Sequence, residues 1–134
     1  MNADKEVLVF ELDDKLYAFP ISQMKEVIAL PPCNIAPMMP PYLLGVINYK
    51  NSVLPVYSLE KIFGIEQSKK NSLCLIVNSR LGLLGYAIDA VLGIRSLEKA
   101  TQIEERVSVL PGELRIVSTV QLAMQEKPVH ILNN

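Results

Sequence analysis

A nucleophile needs a base beside it, and this chain offers few pairs. It holds one histidine, His130, and two cysteines, Cys33 and Cys74. A thiolate activated by an imidazole is the covalent chemistry open to them. Cys33 sits among prolines, Cys74 lies in an apolar run, and His130 lies in the last apolar run. In such settings a cysteine is most simply a small core residue and a lone histidine a structural one. Their spacing matches no zinc-ligand pattern, so neither a metal nor another cofactor is expected. The adjacent carboxylates Asp13 and Asp14, and Glu104 and Glu105, fall in polar stretches that face solvent. No lysine–serine pair follows Gly82 and Gly85, so they form no phosphate loop. Lys69 and Lys70 lack interleaved aromatic residues, which argues against a nucleic-acid platform. The residue inventory points away from an enzyme and toward binding by surface shape.

The framework for such a surface is one domain of 134 residues, half of them hydrophobic and a fifth charged. That balance excludes a disordered tail, and a formal net charge of −1 gives no whole-chain attraction to nucleic acid or anionic lipid. The longest apolar stretch, 81–94, is shorter than a membrane span of about 20 residues and is broken by Gly82, Gly85, Asp89 and Gly93. The first five residues are polar, where a secretory leader would be basic and then apolar, so a cytoplasmic protein without membrane insertion is expected.

The apolar runs are short. Residues 7–12 and 16–21 read as a hairpin about a polar turn at 13–15, with Pro20 stopping the second strand. A helical turn capped by Ser22 and a strand at 26–30 follow, then a loop punctuated by Pro31, Pro32, Pro37, Pro40 and Pro41. Strands at 43–49 and 53–57 flank a turn in which Asn51 tolerates a left-handed backbone. Ser58 caps a short helix over 59–63 that Gly64 closes. A polar link, 66–72, leads to strands at 73–77, 83–88 and 91–94. The stretch 96–106 reads as loop or frayed helix, and strands at 114–122 and 129–132 end the chain. Nine or ten short strands with regular turns predict an all-β sandwich or barrels. A strand–turn–strand unit with Tyr-Ala before an isoleucine occurs at Tyr17, Ala18 and Ile21, and again at Tyr86, Ala87 and Ile88. Two related β units in one chain explain that echo.

Three stretches in order resemble the CheW-like domain family of bacterial chemosensory adaptors. The first runs from Phe10 through Tyr17-Ala18-Phe19-Pro20-Ile21 to Glu26-Val27-Ile28. The second holds Leu44-Gly45-Val46-Ile47-Asn48, then Val53-Leu54-Pro55-Val56 and the helix before Phe63-Gly64-Ile65. The third is Gly85-Tyr86-Ala87-Ile88-Asp89-Ala90-Val91. The resemblance implies one domain over 1–134, built as two SH3-like five-stranded β barrels side by side with one short helix between them. One lobe would span roughly 11–60 plus the chain-end strands, and the other roughly 65–122.

It also implies an adaptor without catalysis, recruited to membrane-associated receptor arrays. The partners would be the cytoplasmic tip of a chemoreceptor and the regulatory domain of a CheA-type histidine kinase. The output would be flagellar chemotaxis or, alternatively, a twitching, pilus-based system. Receptor contacts are expected at Val27, Ile28, Leu30, Ile35, Leu92 and Ile94, for each of which plain barrel core is the competing reading. Kinase contacts are expected at Asn48, Tyr49, Lys50, Asn51 and Leu54. A small-molecule-binding barrel and a Cys–His enzyme remain the competing classes. The family's Asn-Leu-Arg-Gly turn is Asn48-Tyr49-Lys50-Asn51 here, and Ser58 stands where an aspartate is common. Lysine keeps the charge but loses the bidentate fork of arginine.

Overall fold

The structure, a computed structural model, describes residues 5–35, 38–65, 71–105, 107–111, 114–123 and 125–134. Most of the 66–72 link, with Lys69 and Lys70, and the start of the chain lie outside these residues.

Among the described residues, twelve strands form two sheets. In chain order they are β1 (Glu6–Leu12), β2 (Lys15–Pro20), β3 (Met24–Ala29), β4 (Leu43–Tyr49), β5 (Ser52–Ser58), β6 (Leu73–Ser79), β7 (Gly82–Ile88), β8 (Ala90–Ser96), β9 (Thr101–Glu104), β10 (Ser108–Val109), β11 (Arg115–Gln121) and β12 (Val129–Asn133). The first sheet runs β8-β1-β2-β12-β11, with the short strands β9 and β10 both on β11. The second runs β3-β6-β7-β5-β4.

The two paths have one pattern. An outer strand pairs antiparallel with the first strand of a hairpin, as β8 does with β1 and β3 with β6. The hairpin's second strand pairs parallel with the return of another hairpin, β2 with β12 and β7 with β5. The register also repeats, because Tyr17 faces His130 where Tyr86 faces Tyr57. The Tyr-Ala echo therefore marks a structural repeat.

The lobes do not divide at the expected boundaries. Residues 24–88 make the five-stranded sheet, while 6–20 and 90–133 make the other. Each half of the chain gives its hairpin to one sheet and its next three long strands to the other. The crossovers explain why. Pro20 ends β2, and a single 3-10 turn at Ile21–Gln23 sends the chain to the edge of β6. That turn sits one residue earlier than expected, and its N-cap is Pro20 rather than Ser22. At the second crossover, Asp89 bends β7 away to the edge of β1, and its carboxylate accepts hydrogen bonds from the Asp13 N–H at 2.9 Å and the Asn71 amide at 2.7 Å.

Each sheet then curls shut. After β3 the chain returns to the far edge, where Asn34 exchanges two backbone hydrogen bonds with Val46, both 2.9 Å. Gly45 makes this possible: a Cβ there would stand 2.5 Å from the Asn34 carbonyl oxygen, and its φ is +150°. In the other sheet β9 plays this part by pairing with β11. The stretch expected as loop or frayed helix thus contains a strand, all of whose residues are exposed. With both faces solvated, it lacks the alternation that signals a half-buried strand.

Three cores result. Val7, Val9, Leu16, Ala18, Val129 and Ile131 fill the first barrel, and Ile47, Tyr49, Leu54, Val56, Cys74 and Ile76 the second. Between the barrels the opposite faces of the hairpins meet: Leu8, Phe10, Leu12, Tyr17 and Phe19 with Leu75, Val77, Leu84, Tyr86 and Ile88. Strands buried on both faces read as unbroken apolar runs, which is why 7–12 and 73–77 show no alternation. The helix α1 (Leu59–Ile62) adds Leu59 and Ile62 to this central core, as expected of a helix between lobes. Ser58 caps it by accepting from the Lys61 N–H at 3.2 Å, and Gly64 closes it at φ +74°.

Candidate functional site

Most of the residues expected to act belong to the second barrel. β3 is the outer strand of its sheet, so among the described residues one of its long edges carries no neighbouring strand in that sheet. Its period-two alternation turns Ile28 toward the barrel core and leaves Val27 36% exposed. Leu30 also packs against that core, whereas Ile35, beyond the strand, is 80% exposed. Leu92 and Ile94 belong to the other sheet, on β8. Leu92 packs against the first barrel's core, and Ile94 is 54% exposed.

The β4–β5 turn holds the second expected set. Lys50 and Asn51 both have left-handed backbones, at φ 45° and 67°, as a two-residue hairpin turn requires. Asn48, Lys50 and Asn51 are exposed. Tyr49 and Leu54 are not surface residues. Tyr49 is buried, and Leu54 is 2% exposed inside the barrel core. Register explains the correction, because β5 sends Leu54 and Val56 inward and leaves their neighbour Val53 68% exposed. Val53 is the apolar side chain that the turn presents.

A polar contact missed at the sequence level joins the two sets. The Tyr49 hydroxyl donates to Glu26 Oε1, and the Lys50 ammonium lies 2.9 Å from the same oxygen. The Lys50 nitrogen also stands 5.3 Å from the centre of the Tyr49 ring. The hydrogen bond from Tyr49, then that from Lys50, hold the Glu26 carboxyl below its usual range. The same contact raises the Tyr49 hydroxyl and the Lys50 ammonium above theirs, so donor and cation both persist through neutral pH. Glu26 sits between Lys25 and Val27, and the sequence marks it only as the first residue of the Glu26-Val27-Ile28 motif. The signal available was its charge, opposite to that of Lys50.

The two cysteines share the second barrel, and His130 lies in the other sheet. Cys74 is in the second barrel's core and Cys33 packs against it. Burial pushes the Cys74 thiol up to about 12 and raises Cys33 as well, the reverse of activation. His130 lies in the other sheet, tilted against Tyr17 and 2.9 Å from the Thr119 hydroxyl through Nδ1. Burial, then Lys15, lowers its basicity. No metal-ligating cluster occurs among the described residues, and no helix there is long and apolar enough to cross a membrane.

Paired small barrels, each filled by its own side chains, with apolar residues exposed on outer strands and turn tips, define an all-β protein of the double SH3-like class. The family model for the CheW-like domain matches residues 6–133, which takes in both sheets. The chain belongs to the CheW-like domain family. It is 32% identical over 90 residues to the chemotaxis protein CheW of Thermotoga maritima, covering 66% of this chain and 60% of that protein. It is 33% identical over 82 residues to the chemotaxis protein CheW of Helicobacter pylori, covering 60% and 50%. The aligned stretches thus span about three-fifths or less of the curated relatives' length. The crystal structure of the scaffolding protein TtCheW from Thermoanaerobacter tengcongensis superposes with a TM-score of 0.80 at 24% identity, over 98% of this chain and 90% of that one.

Proposed function

We propose that this protein is a chemotaxis scaffold that couples a chemoreceptor to a CheA-type histidine kinase without chemistry of its own. The observation that carries this reading is the family match across both barrels, 6–133. The receptor's helical tip lies along β3, against Val27 and Ile35, with Ile28 and Leu30 beneath as the firm floor. Leu92 and Ile94 on β8 supply the second wall. The kinase's regulatory domain docks on the β4–β5 turn through Asn48, Lys50, Asn51 and Val53, while Tyr49 and Leu54 support the turn from inside. Glu26 ties the two faces together. Binding to both partners holds the scaffold at the cytoplasmic side of a receptor array.

The test uses purified receptor hairpin fragment and kinase regulatory domain, each titrated against this protein by calorimetry. Saturable binding to both is expected. Val27→Asp should weaken receptor binding at least about tenfold, since it places a charge in an apolar contact, while leaving the kinase titration unchanged. Val53→Asp should do the reverse. A folded protein that binds neither partner overturns the proposal. Loss of both titrations by either variant, with the fold intact, overturns the division into two faces.

A further inference from the structure

β8 is the outer strand of the first sheet among the described residues, and an outer edge is a template for a further strand. The hydrogen bond from the Leu97 N–H to the Lys5 carbonyl, 2.7 Å, fixes the phase of its ladder with β1. In an antiparallel ladder every second residue bonds to the neighbouring strand. Arg95 and Gly93, opposite Val7 and Val9, therefore turn their N–H and carbonyl groups toward β1. Across a trans peptide the carbonyl of one residue and the N–H of the next point in opposite directions. The carbonyls of Leu92 and Ile94 thus face the outer edge, and so does the Ile94 N–H.

One side chain occupies both of those carbonyls. Arg95 folds back along its own strand, so that Nη1 donates to the Ile94 carbonyl at 3.1 Å and Nη2 to the Leu92 carbonyl at 3.3 Å. Gly93 supplies the seat. A Cβ there would stand 2.9 Å from Arg95 Nη1, and the Gly93 φ of +125° is one that favours glycine. The strand also carries a bulge at this point, since Val9 pairs with Gly93 and Phe10 with Val91, which leaves Leu92 unmatched. A bulge and a charged side chain laid on an edge both keep strands from adding to it. The planar fork suits that purpose, because its two terminal nitrogens reach two acceptors at once, as the N–H groups of a neighbouring strand would.

The strand under the fork is complementary to a copy of itself. Two β8 strands laid antiparallel about a two-fold axis at Ile94 would exchange both outward hydrogen bonds of that residue. They would also bring together two Ile94 side chains, each 54% exposed in the single chain. We propose that the outer edge of β8 is a latent self-association surface, and that Arg95, seated over Gly93, holds it closed against a second copy of this chain. The closed edge keeps Ile94 open to the receptor face proposed above. The inference does not rest on that face, and its test requires neither partner.

The full chain, Arg95→Ala and Arg95→Gln are compared by sedimentation over a range of concentrations, and their backbone amide exchange is followed by NMR. Both variants should melt like the parent protein, because the side chain is exposed. Both should self-associate at least about tenfold more tightly than the parent. The outward Ile94 amide, open to exchange in the parent, should become protected in their dimers. Arg95→Lys keeps the charge but not the fork, and it too should associate more tightly than the parent. Should Arg95→Ala fail to fold, Arg95→Gln, which keeps most of the stem, gives the same reading. Folded variants that associate no more tightly than the parent overturn the inference. So does a dimer whose Ile94 amide still exchanges freely, or an Arg95→Lys protein that matches the parent.

Discussion

Three side chains, Glu26, Tyr49 and Lys50, carry most of the polar organisation of the candidate site, and their behaviour with pH follows from one shared oxygen. Glu26 titrates below the usual carboxylate range in the folded protein. A depressed folded value means that the contact contributes fully above the unfolded carboxylate value, near 4.3, and is lost as pH falls through the folded value. Lys50 is raised, so its contribution is fully present below the unfolded lysine value, near 10.4, and fades as pH rises through the folded one. Between these limits the turn is held to β3. Glu26→Gln keeps the shape but not the charge, and it should release Lys50. Side-chain NMR of Lys50 should show its titration moving back toward the free value in this variant. The acid-induced shift of the Lys50 and Asn51 amides below about pH 4 should disappear as well. An unchanged Lys50 titration would mean that the ion pair does not organise the turn. The contact is exposed to solvent, so its role is to fix geometry more than to add stability.

At the scale of elements, the turns and crossovers decide the architecture. Asp89 shows how one residue does so. It accepts from the Asp13 backbone N–H and from Asn71, and its own N–H donates to the Glu11 carbonyl at 3.1 Å. It therefore pins the β1–β2 turn, where Asp13 and Asp14 both have positive φ, to the bend from which β8 departs. Asp89→Ala removes two acceptor contacts and should cost about 1–3 kcal/mol in denaturant unfolding, whereas Asp14→Ala, which touches neither, should cost less. Equal losses would mean that the clasp contributes nothing particular. Asp89 was visible in the sequence only as part of a motif, because its partners lie 76 and 18 residues away. The same limit applies elsewhere. The strands at 43–49 and the helix closed by Gly64 were legible because their signals are local: a run of β-formers, a capping serine, a glycine stop. The choice between Leu54 and Val53 was not, since a strand of six or seven residues with proline in it fits either phase until its partners fix the register. Nor was β9, whose exposed faces leave no pattern. Which sheet β3 and β8 join was equally hidden, because an outer strand carries no mark of the hairpin whose edge it will occupy.

At the scale of the whole molecule, the exchange of hairpins makes the two halves of the chain interdependent. The half ending near residue 65 holds β1 and β2, which are central to the first sheet, and β3, β4 and β5, which belong to the second. The half beginning near 71 supplies what each lacks. Alone, the first half has a hairpin whose Leu8, Phe10, Tyr17 and Phe19 would lose their partners Leu75, Val77, Leu84 and Tyr86 across the central core. It also has three strands without the β6–β7 pair that should join β3 to β5. Neither half can bury its apolar faces, and exposed strand edges of this kind aggregate. Two chains cut within 66–70 should therefore each fail to fold, yet form a one-to-one complex with the native β spectrum when refolded together. The cut falls between the described residues of α1 and β6, and the complex retains the cores, so it should also retain the proposed partner faces. Circular dichroism and sedimentation of the separate and mixed fragments decide the matter. A half that folds cooperatively by itself would show that the lobes are autonomous and that the exchanged hairpins are incidental. A complex that forms only when both halves are present would show that the repeat works as a reciprocal interlock. In that case the spacing between the outer strands β3 and β8, on which the proposed two-walled receptor site depends, is a property of both halves together.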